Sequence, residues 1–114
     1  MDAAQIIAQC HYFSGLSVRN RSALAQKFVR QFHEKGTVVF REEQPAAGVY
    51  LVSTGCVQLV RMAPTGREAV IKTCEAGEIF AEAAVLKGGT YPVTANVVHN
   101  SVLFPVPAVH VSDV

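Results

Sequence analysis

The side chains able to do chemistry in this 114-residue chain are few and far apart. The histidines His11, His33, His99 and His110 are scattered, as are the cysteines Cys10, Cys56 and Cys74. A metal centre in a β-barrel needs two histidines one residue apart on a strand, plus a carboxylate, so that all three converge on one ion. No such pair occurs. Glu42 and Glu43 are adjacent, so on a strand they point to opposite faces and cannot share acid–base work. The sequence contains no GxSxG elbow, no GxxxxGKS or GxxxxGKT phosphate loop and no GxGxxG opening a helix after a strand. These residues point to binding, not catalysis.

The informative stretch runs from Gly77 to Val97. It reads as a strand end (Gly77-Glu78-Ile79), a short helix over Phe80 to Lys87 ended by Gly88-Gly89, and a return strand from Val93. That arrangement gathers the first N–H groups of the helix around one spot, where an anion or a polar ligand group would be held. A crossover that merely closes the end of the fold would carry the same pattern.

The elements that position this stretch follow from periodicity. Ser17 is placed to cap a helix over Val18 to Phe32, whose Leu24, Ala25, Phe28, Val29 and Phe32 recur at helical spacing. Its basic residues Arg19, Lys27 and Arg30 read as a solvated side. After Gly36 the pattern turns to short β-branched or aromatic runs: Thr37–Phe40, Val49–Val52, Val57–Val60 and Ala69–Ile71. Turn signals separate them at Pro45, Thr54-Gly55, Pro64-Thr65-Gly66 and Ala76-Gly77, and two more strands follow near Val93–Val98 and Ser101–Val106. The expectation is a mainly β fold with flanking helices, a sandwich or roll.

Composition sets the remaining bounds. Half the residues are apolar, enough for one core, and 114 residues make one domain. Ten basic against nine acidic side chains leave a charge of +1, too balanced for a stand-alone nucleic-acid binder, so any DNA contact is expected from another segment. Three cysteines without a CxxC pair are not a disulfide framework, and the N-terminus lacks the pattern of a signal peptide. No run is long and apolar enough to cross a bilayer, so a cytoplasmic location is expected. Residues 107–114 are too few for a second domain, and the chain is expected to continue into another element.

Six motifs in order carry a resemblance: Gly36–Phe40, Pro45–Val52, Gly55-Cys56-Val57, Gly66-Arg67-Glu68, Gly77–Glu82 and Pro92-Val93-Thr94-Ala95. Together they resemble the cyclic-nucleotide-binding-type sensor domain of Crp/Fnr transcription regulators over about residues 11–106. The resemblance implies a double-stranded β-helix, or jelly-roll-like β-roll, spanning residues 1–114. It also implies a cytoplasmic homodimer, joined through a long helix beyond residue 114, and contact with DNA through a helix-turn-helix domain further on. The implied ligand site comprises Phe80, Ala81, Glu82, Ala83, Ala84, Val93 and Thr94.

The departures from that family matter as much. Members that bind cyclic nucleotides open the short helix with Gly-Glu and place an arginine just before the Ser/Thr-Ala of the return strand. Here Ala81 replaces the glycine, Glu82 and Thr94 match, and Val93 stands where the arginine should be. A guanidinium meets a phosphate with two parallel charge-assisted bonds, and the one cation between Phe80 and Val98, Lys87, is a point charge. Weak cAMP and cGMP binding is therefore expected, with Ala81, Ala83, Ala84, Val85, Leu86 and Val93 lining a cavity suited to a planar apolar or aromatic effector. The wording Phe80-Ala81-Glu82-Ala83 and Gly55-Cys56-Val57 is similar to the haem-dependent, nitric-oxide-responsive branch (the dissimilatory nitrate respiration regulators), which makes His11 a candidate haem ligand by position. The iron–sulfur branch needs four thiolates, and only Cys10 lies near the N-terminus. A cyclic-nucleotide module of a kinase, transporter or channel is the alternative within the same fold.

Overall fold

The computed structural model describes residues 17–26 and 29–107. Helix α1 spans Val18–Ala25 and starts where Ser17 is spaced to cap it: the Ser17 hydroxyl accepts the Asn20 N–H at 3.1 Å. The helix expected to reach Phe32 stops at Ala25. Residues Gln31–His33 instead form strand β1, paired antiparallel with Leu103, Val102 and Ser101. The helical spacing of Val29 and Phe32 does not bury them; both are more than 60% exposed. Local periodicity here yields to a backbone ladder made with residues some seventy positions away.

Strand β2 spans Val38–Phe40, β3 Gly48–Met62, β4 Glu68–Glu75 and β5 Ile79–Phe80; helix α2 covers Glu82–Lys87 and β6 Thr94–Pro107. The sheet runs β1-β6-β3-β4, with β2 also on β6 and β5 also on β3, and every pairing is antiparallel. The chain thus folds as the expected β-roll. Its spine is the long ladder between β3 and β6, from Gly48↔Pro107 to Val60↔Thr94.

Two pairs of expected strands are in fact two continuous ones. Val49–Val52 and Val57–Val60 join within β3, and Val93–Val98 and Ser101–Val106 join within β6 apart from its first residue, which lies outside. The turn expected at Thr54-Gly55 is an irregularity in the ladder, with register shifts around Thr54 and Cys56. Gly55 has φ +102°, and a Cβ there would sit 2.6 Å from the Cα of Ser101. The Ser101 hydroxyl fills that space, accepting the Cys56 N–H at 3.0 Å and donating to the His99 carbonyl at 2.7 Å. The strands bend there without reversing.

True reversals occur where expected. Around Pro64-Thr65-Gly66, the Ala63 N–H donates to the Arg67 carbonyl at 2.7 Å, and Gly66 takes φ +85°. At Ala76-Gly77, the Glu78 N–H donates to the Glu75 carbonyl at 3.0 Å. Between Leu59↔Lys72 and Val60↔Val70 the register skips Ile71, a bulge in the edge strand β4. The core collects Phe40, Val52, Val57, Leu59, Cys74, Phe80, Tyr91, Ala95 and Leu103 from five strands and the segment before β6. Among the described residues no helix is long and apolar enough to cross a membrane.

Candidate ligand pocket

A cavity of about 200 Å³ opens where β5 and α2 leave the sheet and the chain returns toward β6. Phe40, Leu59, Phe80 and Tyr91 form its apolar floor, and Ile79, Ala81, Ala83, Ala84, Pro92 and Val93 its walls. Glu82 and Lys72 are the charged residues of the lining. The volume is below the roughly 300–1,000 Å³ of drug-sized ligand sites, which suits a small ligand.

The floor is built from interlocking rings. Phe40 stacks on Tyr91 with centroids 3.7 Å apart and planes within 12°, and Phe80 stacks on Tyr50 at 5.5 Å and 16°. Phe40 and Phe80 lie 6.0 Å apart and join the two pairs. Such contacts add about 0.5–1.5 kcal/mol each beyond simple burial. Burial, and then the neighbouring Tyr91, push the Tyr50 phenol above its ordinary pKa, so it stays protonated.

Tyr91 is also a fastener. Its hydroxyl donates to the Gly48 carbonyl at 2.6 Å and accepts the Gly48 N–H at 3.2 Å. Its backbone N–H donates to the Gln44 carbonyl at 2.9 Å, and its carbonyl accepts the Glu43 N–H at 2.8 Å. The loop leading into β3 is thereby fixed to the cavity wall.

Six of the seven residues expected from sequence come together: Phe80, Ala81, Glu82, Ala83, Ala84 and Val93 all line the cavity. Thr94 lies beside the lining, where its hydroxyl accepts the Glu42 N–H at 3.0 Å, and Val85, also expected to line the cavity, is buried outside it. Ala81 sits before α2 in the left-handed region, at φ 75° and ψ 6°. That conformation costs a residue with a Cβ about 1–2 kcal/mol, the physical reason a glycine suits this position. Helix α2 has only six residues and no side chain caps its first turn, so its N–H groups form a smaller cradle than the sequence suggested. Gly88, at φ 71°, closes its other end with its N–H on the Val85 carbonyl.

Sequence reasoning missed half of the lining: Phe40, Leu59, Lys72, Ile79, Tyr91 and Pro92. Reading cations along the chain found only Lys87, which is exposed and outside the cavity. In space two others approach. Lys72 reaches the lining from β4, its Nζ 3.6 Å from a Glu78 carboxylate oxygen, both half-exposed. The Arg61 Nε donates to the Pro92 carbonyl at 3.3 Å. The one available signal was the register itself: Arg61 sits on β3, which borders the return strand, and Lys72 on β4, one strand further out, and no local motif reports either placement.

The lining does not suit a haem. It holds no imidazole, thiolate or thioether to bind iron, and its one phenol, Tyr91, is engaged with Gly48. His33 and His99 lie outside it, and no group of three metal-ligating side chains occurs among the described residues. His11 and Cys10, and the side chain of Leu86, lie outside the described residues. The buried thiols are unreactive in character: burial chiefly raises the Cys56 pKa, and burial pushes Cys74 up to about 11.

Comparison with known proteins agrees with this geometry. The sequence profile of the family described as "Cyclic nucleotide-binding domain" matches residues 30–114. The CRP-like cAMP-activated global transcriptional regulator of Mycobacterium tuberculosis is 27% identical over 85 residues, which cover 75% of this chain and 38% of that protein. The sensor domain of the transcriptional regulator DNR from Pseudomonas aeruginosa is 29% identical with a TM-score of 0.86, covering 96% of this chain and 73% of that one. The regulatory domain of Toxoplasma gondii PKA, solved with cAMP, has a TM-score of 0.90 over 97% of this chain and 42% of that one; at 21% identity it shows a likeness of fold alone. The chain thus spans well under half the length of the curated regulator it matches.

Proposed function

The chain belongs to the cyclic nucleotide-binding domain family, and from that premise we propose that it is the ligand-sensing domain of a Crp/Fnr-type transcription regulator. Its cavity takes a small effector with a planar apolar body, aromatic in preference to a cyclic nucleotide. The observation that carries this is Val93, 9% exposed and part of the cavity wall, at the position where a phosphodiester would need a guanidinium. Without that partner a buried anionic group goes unmatched, at a cost of about 2–5 kcal/mol, or roughly 30- to several-thousand-fold in affinity.

The domain binds and signals; no reaction is assigned to it. Effector occupancy favours one of two arrangements of α2 against the sheet, and an attached segment reads the difference. In the full regulator that segment is a dimer helix followed by a DNA-binding module, working as a cytoplasmic homodimer. The balanced charge of +1 supports assigning DNA contact to that module and not to this domain. Haem is the weaker effector reading, because no described residue of the lining is an iron ligand free to hold it and the candidate His11 lies outside the described residues.

Titration with indole, followed by backbone amide shifts, tests the reading. Shifts centred on Ala81–Ala84 and Val93 are expected, and Val93→Trp should abolish them by filling the cavity. Saturating indole should also raise the unfolding temperature by mass action. Indole at millimolar concentration leaving those amides unmoved would count against an aromatic-binding cavity.

A further inference from the structure

The guanidinium absent from position 93 is present one strand away. The ladder between β3 and β6 ends with Leu59↔Ala95 and Val60↔Thr94, so Arg61 is the residue of β3 just past its end and Val93 the residue just before β6. Paired residues of antiparallel strands share a face, and so do residues two apart on one strand. Arg61, two residues from Leu59 on β3, therefore lies on the face of that cavity residue, beside the turn that carries Pro92 and Val93. Its Nε donates to the carbonyl of Pro92, another wall residue, at 3.3 Å. Arg61 is exposed and outside the lining, so the guanidinium stands at the rim of the cavity, not in its floor.

The bond to Pro92 occupies Nε and not the two Nη groups; among the described residues no carboxylate lies within ion-pair distance of Arg61. The nearby carboxylate of Glu42 is engaged by the Met62 N–H at 2.9 Å. Lys72, the other cation at the cavity, is already paired with Glu78. Arg61 is thus the cation beside the cavity with free donors in fork geometry, the arrangement that matches an oxyanion.

We propose that Arg61 sets the charge specificity of the pocket: the effector is an organic acid whose apolar body fills the cavity and whose oxyanion rests at the rim against the Arg61 guanidinium. This rests on the reading of the cavity as an aromatic-effector site. It also separates the site from one for cAMP, whose phosphodiester would have to be met beside Val93 inside the wall.

Three probes with one ring and different charge test it on the 114-residue chain: indole, indole-3-acetate and tryptamine, each titrated by amide shifts. Indole-3-acetate should bind more tightly than indole and tryptamine more weakly, by about tenfold between the two charged probes. Arg61→Gln should reduce that gap to about twofold while leaving indole unchanged; Arg61→Lys should keep part of it. Arg61 is exposed, so unchanged thermal unfolding of both variants will show that the fold is intact. Equal binding of the two charged probes, tighter binding of tryptamine, or an Arg61→Gln variant that still prefers the acid overturns the assignment of Arg61. If indole binds normally in those cases, the aromatic cavity stands and only the charge assignment falls. If none of the three probes moves the wall amides, both fall.

Discussion

The phenol of Tyr91 and the backbone of Gly48 exchange two hydrogen bonds, at 2.6 and 3.2 Å, between the cavity wall and the first residue of β3. Tyr91→Phe removes both while keeping the ring stacked on Phe40. Each neutral hydrogen bond contributes about 0.5–1.5 kcal/mol, so a loss of about 1–2 kcal/mol is expected. Denaturant melts of the two proteins check it, with an unchanged slope showing that only stability moved.

Ala81 should respond in the opposite sense. Its φ of 75° is costly for alanine and free of strain for glycine, whose greater freedom in the unfolded chain offsets part of the gain. Ala81→Gly is expected to stabilise the domain by about 0.5–1 kcal/mol. A destabilised variant would show that the alanine methyl, which faces the cavity, contributes more by packing than it costs in strain.

Gly55 allows no such exchange. A methyl group there meets Ser101 and demands φ +102° of an alanine. Gly55→Ala should cost about 3 kcal/mol, from overpacking and backbone strain combined. Ser101→Gly in the same chain should recover part of that loss, which a double-mutant cycle measures.

These positions also show what was legible in the sequence. The strand content, the reversals at Gly66 and Gly77 and the short helix follow from local patterns, and the cluster from Phe80 to Ala84 with Val93 from the family resemblance. Gly55 does not, because a glycine at a turn and a glycine at a bend read alike until Ser101 is seen against it. Phe32 reads as helical because its pairing with Val102 is non-local. Lys72 and Arg61 reach the cavity through strand register, which is fixed by the whole sheet and not by neighbours in sequence.

Cys74 makes stability depend on alkaline pH. Its thiol is fully buried and its pKa raised from 9.0 to about 11, chiefly by that burial. The folded state therefore holds the proton more tightly than the unfolded state. This contribution is fully present below pH 9 and declines as pH rises from about 9 through 11, where the unfolded thiol ionises first. Melts across that range should show the decline, and Cys74→Ala should flatten it. At pH 8, iodoacetamide should modify Cys74 only at the rate of unfolding.

Calorimetric titration with cAMP tests most directly the claim that a valine wall cannot clamp a phosphodiester. The wild-type chain should give no saturable heat at micromolar nucleotide, and Val93→Arg should gain affinity by about 30-fold or more. Micromolar cAMP affinity in the wild-type chain, unchanged by Val93→Arg, would contradict it.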